Sequence, residues 1–296
     1  MSRNVDPVEP IVVEVVRSGV VEARHAVHAV AVDGGRVVGS AGDPALVTYF
    51  RSSAKPIQAL PLVRARPDLD DDEVAIACAS HLHRPEQIAA VRSLLDKAGA
   101  TDDDLECGPE PTRLEHNCSG KHAGMLLLCR EHGWPSVGYR LPEHPCQRAM
   151  VAEMCAAADV DAASVPTSAD GCGVVTLALS LDRIAVAYSR LSTRDGGSRV
   201  MAAMRARPDL IRGPGEADTE LMRLGGWVAK GGAEGLLCAV SDDGLAVVLK
   251  VEDGATRAIR PALATFLGRL GRDSGALGDV PLVNSRGEVV GELRAT

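Results

Sequence analysis

Lysine is scarce in this chain of 296 residues, because only five of its 32 basic residues are lysines. They are Lys55, Lys97, Lys121, Lys230 and Lys250. Arginine supplies a plain positive charge, whereas lysine can also lose its proton at an attainable pKa and act as a base or metal ligand. A GC-rich genome would deplete lysine too, so scarcity ranks candidates without proving any. Lys97 lies in an amphipathic helical pattern and is interpreted as a solvated charge, which leaves four candidates.

Other absences exclude whole classes of function. The sequence has no signal-peptide pattern and no uncharged apolar run of membrane-spanning length, so we expect a cytoplasmic protein that does not enter membranes. A net charge of −8 argues against binding nucleic acid, which calls for basic patches. No glycine-rich dinucleotide or P-loop motif follows a predicted strand, which disfavours nucleotide cofactors. No CxxC pair occurs, which disfavours a zinc ribbon or a thioredoxin-type site.

The eight cysteines are expected to be reduced in a chain without a secretory signal. Cys129 and Cys155 lie in apolar helical patterns and are interpreted as small core residues. Cys118 and Cys172 differ because each is surrounded by polar and glycine residues. These two cysteines are therefore candidates for chemistry.

Length and composition are those of an ordinary globular protein, with 46% hydrophobic and 24% charged residues. We expect a single catalytic domain over residues 1–296, with two intimate lobes as the alternative. The opening segment predicts an antiparallel meander rather than a βαβ unit. Its evidence is the β-branched run at 11–16, the alternation at 25–32 and a tight turn at 33–35.

Later segments predict helices and a second hairpin. Pro85 and Pro145 begin helical patterns, because proline suits the first turn of a helix. Further helices are predicted after residue 122, over 181–191, over 221–228 and over 257–270. A hairpin is predicted over 236–251, across the turn at 242–244, and a short strand near the end of the chain.

The stretch from His116 to His122 concentrates chemically active groups in seven residues: a thiol, a hydroxyl, an amine, an amide and two imidazoles. An apolar run follows it, so the cluster stands at the mouth of a buried helix, where side chains and free amides can converge on a ligand. The alternative is a polar loop with a helix cap, which Asn117 or Ser119 alone would supply.

Ser52 and Lys55 are three residues apart, a spacing that places a hydroxyl and an amine on one face of a helical turn. A desolvated lysine beside a serine can take its proton and make it a nucleophile. Alternatively, Ser53 caps the helix and Ser52 is structural. Ser80 lies at a chain reversal and is either functional or a turn residue.

Two further segments carry candidate groups. Glycines on both sides of Cys172 allow the backbone to approach a ligand closely, and Asp170 adds an acceptor. Lys250 lies inside an apolar strand, where a lysine is either functional or extends its amine to the surface.

Taken together, these motifs resemble the class 3, or Rhizobium etli-type, L-asparaginases, also called asparaginase II. They follow the family's order and span most of the chain. The matching segments are Arg51-Ser-Ser-Ala-Lys55-Pro, Ala79-Ser-His81, His116-Asn-Cys-Ser-Gly-Lys-His-Ala-Gly-Met125, Asp170-Gly-Cys-Gly173, Lys230-Gly-Gly-Ala-Glu-Gly235 and Leu249-Lys-Val-Glu-Asp-Gly254.

The resemblance implies an α+β fold, a mixed, largely antiparallel sheet flanked by helices, like the serine β-lactamases and glutaminases. It implies hydrolysis of the small molecule L-asparagine to L-aspartate and ammonia in a homodimer with one zinc ion per subunit. The roles it implies are nucleophile and base for Ser52 and Lys55, a supporting couple for Ser80 and Lys250, zinc ligands for Cys118, Lys121 and Cys172, and substrate contacts for Arg51, His122 and Asp170.

Two alternatives remain at this point. One keeps the Ser-Lys hydrolase but changes the substrate to glutamine, a β-lactam or another small amide. The other is a non-catalytic metal or thiol sensor built on the same cysteines, which leaves Ser52, Lys55 and Lys250 unexplained.

Overall fold

A computed structural model describes residues 9–109 and 111–296 of the protein. It consists of two antiparallel sheets surrounded by helices. The strands are β1 (Ile11–Arg17), β2 (Val20–Asp33), β3 (Arg36–Ala41), β4 (Val47–Tyr49), β5 (Thr167–Ala169), β6 (Val175–Ser180), β7 (Trp227–Gly232), β8 (Leu236–Ser241), β9 (Ala246–Val251), β10 (Val280–Val283) and β11 (Val289–Ala295). The helices are α1 (Lys55–Gln58), α2 (Leu60–Ala65), α3 (Asp71–Ala77), α4 (Pro85–Ala98), α5 (Ser119–His132), α6 (Pro145–Ala158), α7 (Leu181–Ser189), α8 (Gly197–Ala206), α9 (Pro208–Ile211), α10 (Ala217–Arg223) and α11 (Ile259–Arg269).

The large sheet has eight strands, seven of them in the order β10-β11-β1-β2-β9-β8-β7. The long strand β2 pairs with β1 along its first half and with β3 along its second half, while β9 occupies its other edge. All residues of β8 and β9 are buried, so both faces of the sheet are covered at its centre. Helix α7 packs against β2, β8 and β9, and α11 packs against β1, β9 and β11. The expected class, a largely antiparallel sheet flanked by helices, is confirmed.

Helix α5 is the centre of the helical layer. Eleven consecutive residues, from Ser119 to Cys129, are buried, so every face of the helix is covered. Helices α2, α3, α4 and α6 surround it. Gly120 and Gly124, one turn apart, allow α3 and α2 to come close. A Cβ on Gly120 would lie 2.3 Å from the Ile76 carbonyl oxygen, and one on Gly124 would lie 3.0 Å from Leu62.

Several local predictions are confirmed. The meander and its turn at 33–35 form β2 and β3, and the two proline-initiated helices are α4 and α6. The predicted helix over 221–228 is wrong. Helix α10 ends at Arg223 because Gly225 and Gly226 take left-handed φ angles of 85° and 73°, and the apolar run that follows pairs with β8 as strand β7.

Within these described ranges, no helix combines the length and the apolar character needed to cross a bilayer.

Replacing Gly120 by alanine should destabilise the protein, because the added methyl group would overlap the Ile76 carbonyl oxygen. Overpacking of this kind costs about 1–3 kcal/mol. The matched control is Gly268→Ala in α11, where a Cβ would meet nothing within 4 Å. That control should be neutral or stabilising by up to about 1 kcal/mol, since alanine favours helix over glycine. Urea unfolding of both variants measures the difference. Equal stability of the two would contradict the packing of α5 on α3.

Candidate functional site

The turn that carries Ser52 is fixed to the sheet through its neighbour Ser53. A 3₁₀ turn, Arg51–Ala54, leads directly into α1. The buried Ser53 hydroxyl donates to the Lys230 carbonyl oxygen in β7 at 3.0 Å, and the Tyr188 hydroxyl donates to the Ser53 carbonyl oxygen at 2.6 Å. Ser53 therefore ties the turn to β7 and caps no helix. Ser52 is half-buried, and its hydroxyl makes no hydrogen bond to another described residue, which leaves it available to a ligand.

Lys55 is completely buried behind this turn. Its Nζ donates to the Ser80 hydroxyl at 3.0 Å and to the Ala79 carbonyl oxygen. Burial lowers the pKa of Lys55, the positive charge of Lys121 lowers it further, and the thiols Cys118 and Cys172 oppose the shift. An amine in this state can accept a proton from a hydroxyl group. The structure thus brings Lys55 and Ser80 together, one helical turn after Ser52.

The segment around Ser80 is attached to the start of α5. The Ser119 hydroxyl donates to the Leu114 carbonyl oxygen at 2.7 Å, so it accepts from His81 Nε2 at 2.8 Å. Burial lowers the pKa of His81 to about 3, which keeps its ring neutral. Ser119 and His81 therefore position the chain, and α5 begins without a side-chain cap.

Cys118, Lys121 and Cys172 form what we call the thiol–amine cluster. All three side chains are buried, and Lys121 Nζ lies 3.1 Å from Cys172 Sγ. A hydrogen bond with Cys118, assisted by the positive charge of Lys121, lowers the pKa of Cys172 to about 5. Burial alone would lower the pKa of Lys121, but the charges of Cys172, Cys118 and Asp170 raise it above its usual value. The cluster therefore holds a thiolate beside an ammonium group.

Arg51 connects this cluster to the Ser52 turn. Its Nε donates to Asp170 Oδ1 at 2.5 Å, two residues before Cys172, and its backbone N–H donates to the Thr176 hydroxyl at 2.9 Å. Arg51 has a φ of +49°, a left-handed conformation that costs energy for a residue with a side chain. Such strain directly before Ser52 is typical of functional turns, and here the two hydrogen bonds hold it in place.

His122 lies on α5 beside Lys121 and is completely buried. Its Nδ1 lies 2.8 Å from the Tyr139 hydroxyl, while Nε2 has no hydrogen-bond partner among residues 9–109 and 111–296. Burial lowers its pKa well below the usual value, and the charge of Lys121 acts in the same direction. The ring is therefore neutral and presents an unsatisfied nitrogen in the neighbourhood of Cys118, Lys121 and Lys55.

The structure separates the two lysines of the large sheet. Lys230 in β7 is completely buried, 3.7 Å from Asp218 Oδ2. Burial lowers its pKa to about 7, and the positive charge of Lys55 contributes. Each lysine donates to the carbonyl oxygen of the next residue, Lys230 to Gly231 and Lys250 to Val251, but the charges that act on Lys250 in β9 are Glu234, Asp253 and Glu252. The sequence resemblance had paired Lys250 with Ser80, but Lys230 is the sheet lysine near Lys55.

The sequence analysis already included Lys230 among the four candidate lysines. The two glycines that follow it are a further sign that its strand approaches another segment closely. A Cβ at Gly232 would lie 2.8 Å from the Ser53 hydroxyl, so only glycine allows β7 to approach the Ser52 turn this closely.

A cavity of about 290 Å³ opens beside β7 and is lined in part by Asp218, Gly231 and Gly232. Neither Lys55 nor any member of the thiol–amine cluster lines it. The cavity therefore borders the surroundings of Lys230 and does not enclose the cluster.

Comparison with known proteins identifies the family. The model of the family L-asparaginase II matches residues 13–295, nearly the whole chain, so the protein belongs to this family. The family supports an amidohydrolase activity. A comparison with curated proteins gives no match.

Two solved structures show a distant likeness. A candidate β-lactamase from Bacteroides dorei is 12% identical, with a TM-score of 0.40, and the match covers 88% of this chain and 94% of that one. A β-lactamase from Mycobacterium bovis is 14% identical, with a TM-score of 0.35, and the match covers 82% of this chain and 94% of that one.

The position of the two sheet lysines leads to a paired prediction for amide hydrolysis. Lys230→Met should lower kcat by about a hundredfold or more, the usual effect of losing a proton-transfer group, whereas Lys250→Met should retain most activity. Because Lys230→Met leaves the buried Asp218 without its partner, the double variant Lys230→Met/Asp218→Asn tests the same loss with the charge balanced. Circular dichroism confirms that each variant is folded. The reverse result, with loss only in Lys250→Met, would support the assignment made from the resemblance.

Proposed function

We propose that the protein is an L-asparagine amidohydrolase that releases L-aspartate and ammonia through a Ser-Lys nucleophile beside a zinc site. The observation that carries this proposal is the placement of Lys55. Its buried amine, with a lowered pKa, contacts the Ser80 hydroxyl one helical turn after the half-buried Ser52. Membership of the L-asparaginase II family supports the choice of an amide substrate.

Each step of the reaction can be assigned to residues of this site. The Ser52 hydroxyl attacks the side-chain amide carbon of asparagine, and Lys55 accepts the hydroxyl proton, directly or through Ser80. Collapse of the adduct returns that proton to the leaving nitrogen, so ammonia departs and an acyl ester remains on Ser52. A water molecule, deprotonated by Lys55, then attacks the ester carbonyl carbon. The bond to the Ser52 oxygen breaks, Lys55 returns its proton to that oxygen, and L-aspartate is released. Burial and the positive charge of Lys121 lower the pKa of Lys55 and keep it a good proton acceptor. Lys230, whose pKa burial lowers to about 7, is a second amine near Lys55 that can give or take a proton.

Arg51, Asp170 and His122 are proposed to contact the substrate. Arg51 and Asp170 form an ion pair beside the cluster, and His122 carries a free nitrogen. Asparagine has one carboxylate and one ammonium group, which suit a guanidinium and a carboxylate respectively. The ion pair would then open to receive the substrate.

The thiol–amine cluster fits a zinc ion. Two ligands of a tetrahedral zinc, bound at about 2.0–2.3 Å, lie roughly 3.5 Å apart, close to the observed Lys121–Cys172 separation of 3.1 Å. The described residues contain no group of three or more His, Cys, Asp or Glu side chains that could hold a metal, so the amine of Lys121 is needed to complete the donor set. Cys118, Lys121 and Cys172 would hold the ion, which when bound supplies a Lewis acid for a substrate oxygen. The homodimer, the single zinc per subunit and the cytoplasmic location stay predictions.

The substrate and the nucleophile can be tested by following ammonia release. The zinc-loaded protein should release ammonia from L-asparagine, and Ser52→Ala should reduce kcat by at least about a thousandfold, because it removes the attacking group. The control is Ser192→Ala, at an exposed serine, which should leave the rate unchanged. If no ammonia is released from asparagine, or if it is released only from glutamine, the proposed substrate is wrong. Full turnover by Ser52→Ala would exclude Ser52 as the nucleophile.

The metal can be tested by elemental analysis of the purified protein. The wild type should contain one zinc per chain, and Cys118→Ala and Cys172→Ala should each lose it, because either change removes a thiolate ligand. Cys155→Ala, in helix α6, is the matched control and should keep zinc. Zinc retained by both Cys118→Ala and Cys172→Ala would refute the ligand assignment.

A further inference from the structure

Tyr139 and His122 form a buried pair next to the proposed substrate site. Neither side chain is exposed, and their rings meet edge to face, with centroids 5.5 Å apart and planes at 70°. The Gln147 amide donates to the Tyr139 carbonyl oxygen at 2.9 Å and thereby holds the tyrosine backbone. The Tyr139 hydroxyl lies 2.8 Å from His122 Nδ1. The pair is therefore rigid enough for the direction of its hydrogen bond to matter.

The direction of that bond follows from a third group. The Glu106 backbone N–H donates to the Tyr139 hydroxyl oxygen at 2.7 Å. A backbone amide can only donate here, so the tyrosine oxygen is the acceptor in this contact, and its own proton needs a different acceptor. Within the described part of the chain, the one other group in hydrogen-bond contact with this hydroxyl is His122 Nδ1. If Nδ1 carried the proton instead, a buried tyrosine proton would have no partner, which folded proteins avoid.

The tautomer of His122 follows. A neutral imidazole carries one proton, and a ring that accepts at Nδ1 must carry it on Nε2. Nε2 is buried and has no partner in the portion of the chain that the structure describes. An N–H at this position cannot ligate zinc, which needs a free lone pair. It can donate a hydrogen bond to an oxygen atom.

We infer that Tyr139 is a positioning residue that holds His122 in the Nε2–H tautomer, so that His122 donates to an oxygen of the bound substrate and is not a zinc ligand. This inference rests on the proposed function for the identity of the substrate. The ligand that the site would take is a small molecule with a carboxylate or amide oxygen, as asparagine has. Glu106 takes part through its backbone, because its N–H forces the direction of the tyrosine hydroxyl.

Nitrogen-15 NMR of histidine-labelled protein measures the tautomer directly. In the zinc-loaded wild type, His122 should show a protonated Nε2 and an unprotonated Nδ1, with its signals assigned by their absence in His122→Gln. In Tyr139→Phe, which removes only the hydroxyl group, the two nitrogens should move towards the averaged shifts of a mixed tautomer. Tyr49→Phe, at an exposed tyrosine, is the control and should leave the pattern unchanged. An unprotonated Nε2 in the wild type would overturn the inference.

Kinetics provide a second measurement. Tyr139→Phe should raise KM for asparagine about tenfold, with a smaller effect on kcat, and should keep its zinc. His122→Gln places an amide donor near the Nε2 position that does not depend on tyrosine, so Tyr139→Phe should add little in that background. An equal additional rise in KM there would show that Tyr139 acts through packing alone. If the wild type does not hydrolyse asparagine, the proposed function fails, while the NMR result still decides the tautomer.

Discussion

The structure depends on how the charges of three buried amines are balanced. Lys55, Lys121 and Lys230 lie in the interior, where an unpaired ammonium group is strongly unfavourable. Each has a different environment. Lys121 lies against a thiolate and is held protonated, and Lys230 lies near the Asp218 carboxylate. The hydrogen bonds of Lys55 to other described residues go to two neutral oxygens. The proposed function therefore gives the same residue type three roles: a cation beside the thiolate for Lys121, a second proton-transfer amine for Lys230 and a base for Lys55.

The three amines can contact their partners only because the backbones of neighbouring segments pack closely together. Gly120 brings α5 against the end of α3, which leads to Ser80, and Gly232 brings β7 against the Ser52 turn. The Ser53–Lys230 hydrogen bond then fixes the turn to the strand. Burial in these contacts lowers the pKa values of Lys55 and Lys230. The same contacts therefore pack the segments together and set the protonation of the buried amines.

Local patterns predicted the parts of the fold that short segments determine. The alternation before residue 33 and the turn at 33–35 predicted the first strands, and Pro85 and Pro145 predicted two helices. The helix predicted over 221–228 failed because an apolar run is compatible with helix or strand, and pairing with β8 decided between them. The meander predicted the pairing of β2 with β1 and β3, but the pairing of β2 with β9 could not be predicted, because β9 lies more than two hundred residues further along the chain.

In the candidate site too, contacts within short segments were predictable from sequence and contacts between distant segments were not. Cys118 and Lys121 are three residues apart, and their meeting with Cys172 was expected from the resemblance. The sequence could not predict which of Lys230 and Lys250 lies near Lys55, because both are lysines in apolar strands followed by glycine or acidic residues. Only the position of each strand in the sheet separates them. Strand β7 forms the edge next to the Ser52 turn, whereas β9 pairs with β8 on one side and β2 on the other.

The Lys121–Cys172 contact balances the charge of the thiol–amine cluster without a metal ion, and the proposed zinc-bound state would be balanced as well. Without a metal ion, the ammonium group and the thiolate neutralise each other, so the buried cluster carries little net charge. In the proposed zinc-bound state the amine must be neutral, because a protonated lysine has no lone pair. Metal binding would therefore release the Lys121 proton, and any remaining thiol proton of Cys118, as the ion takes over the positive charge. The interior would accommodate both states, because the thiolate would keep a positive partner in each.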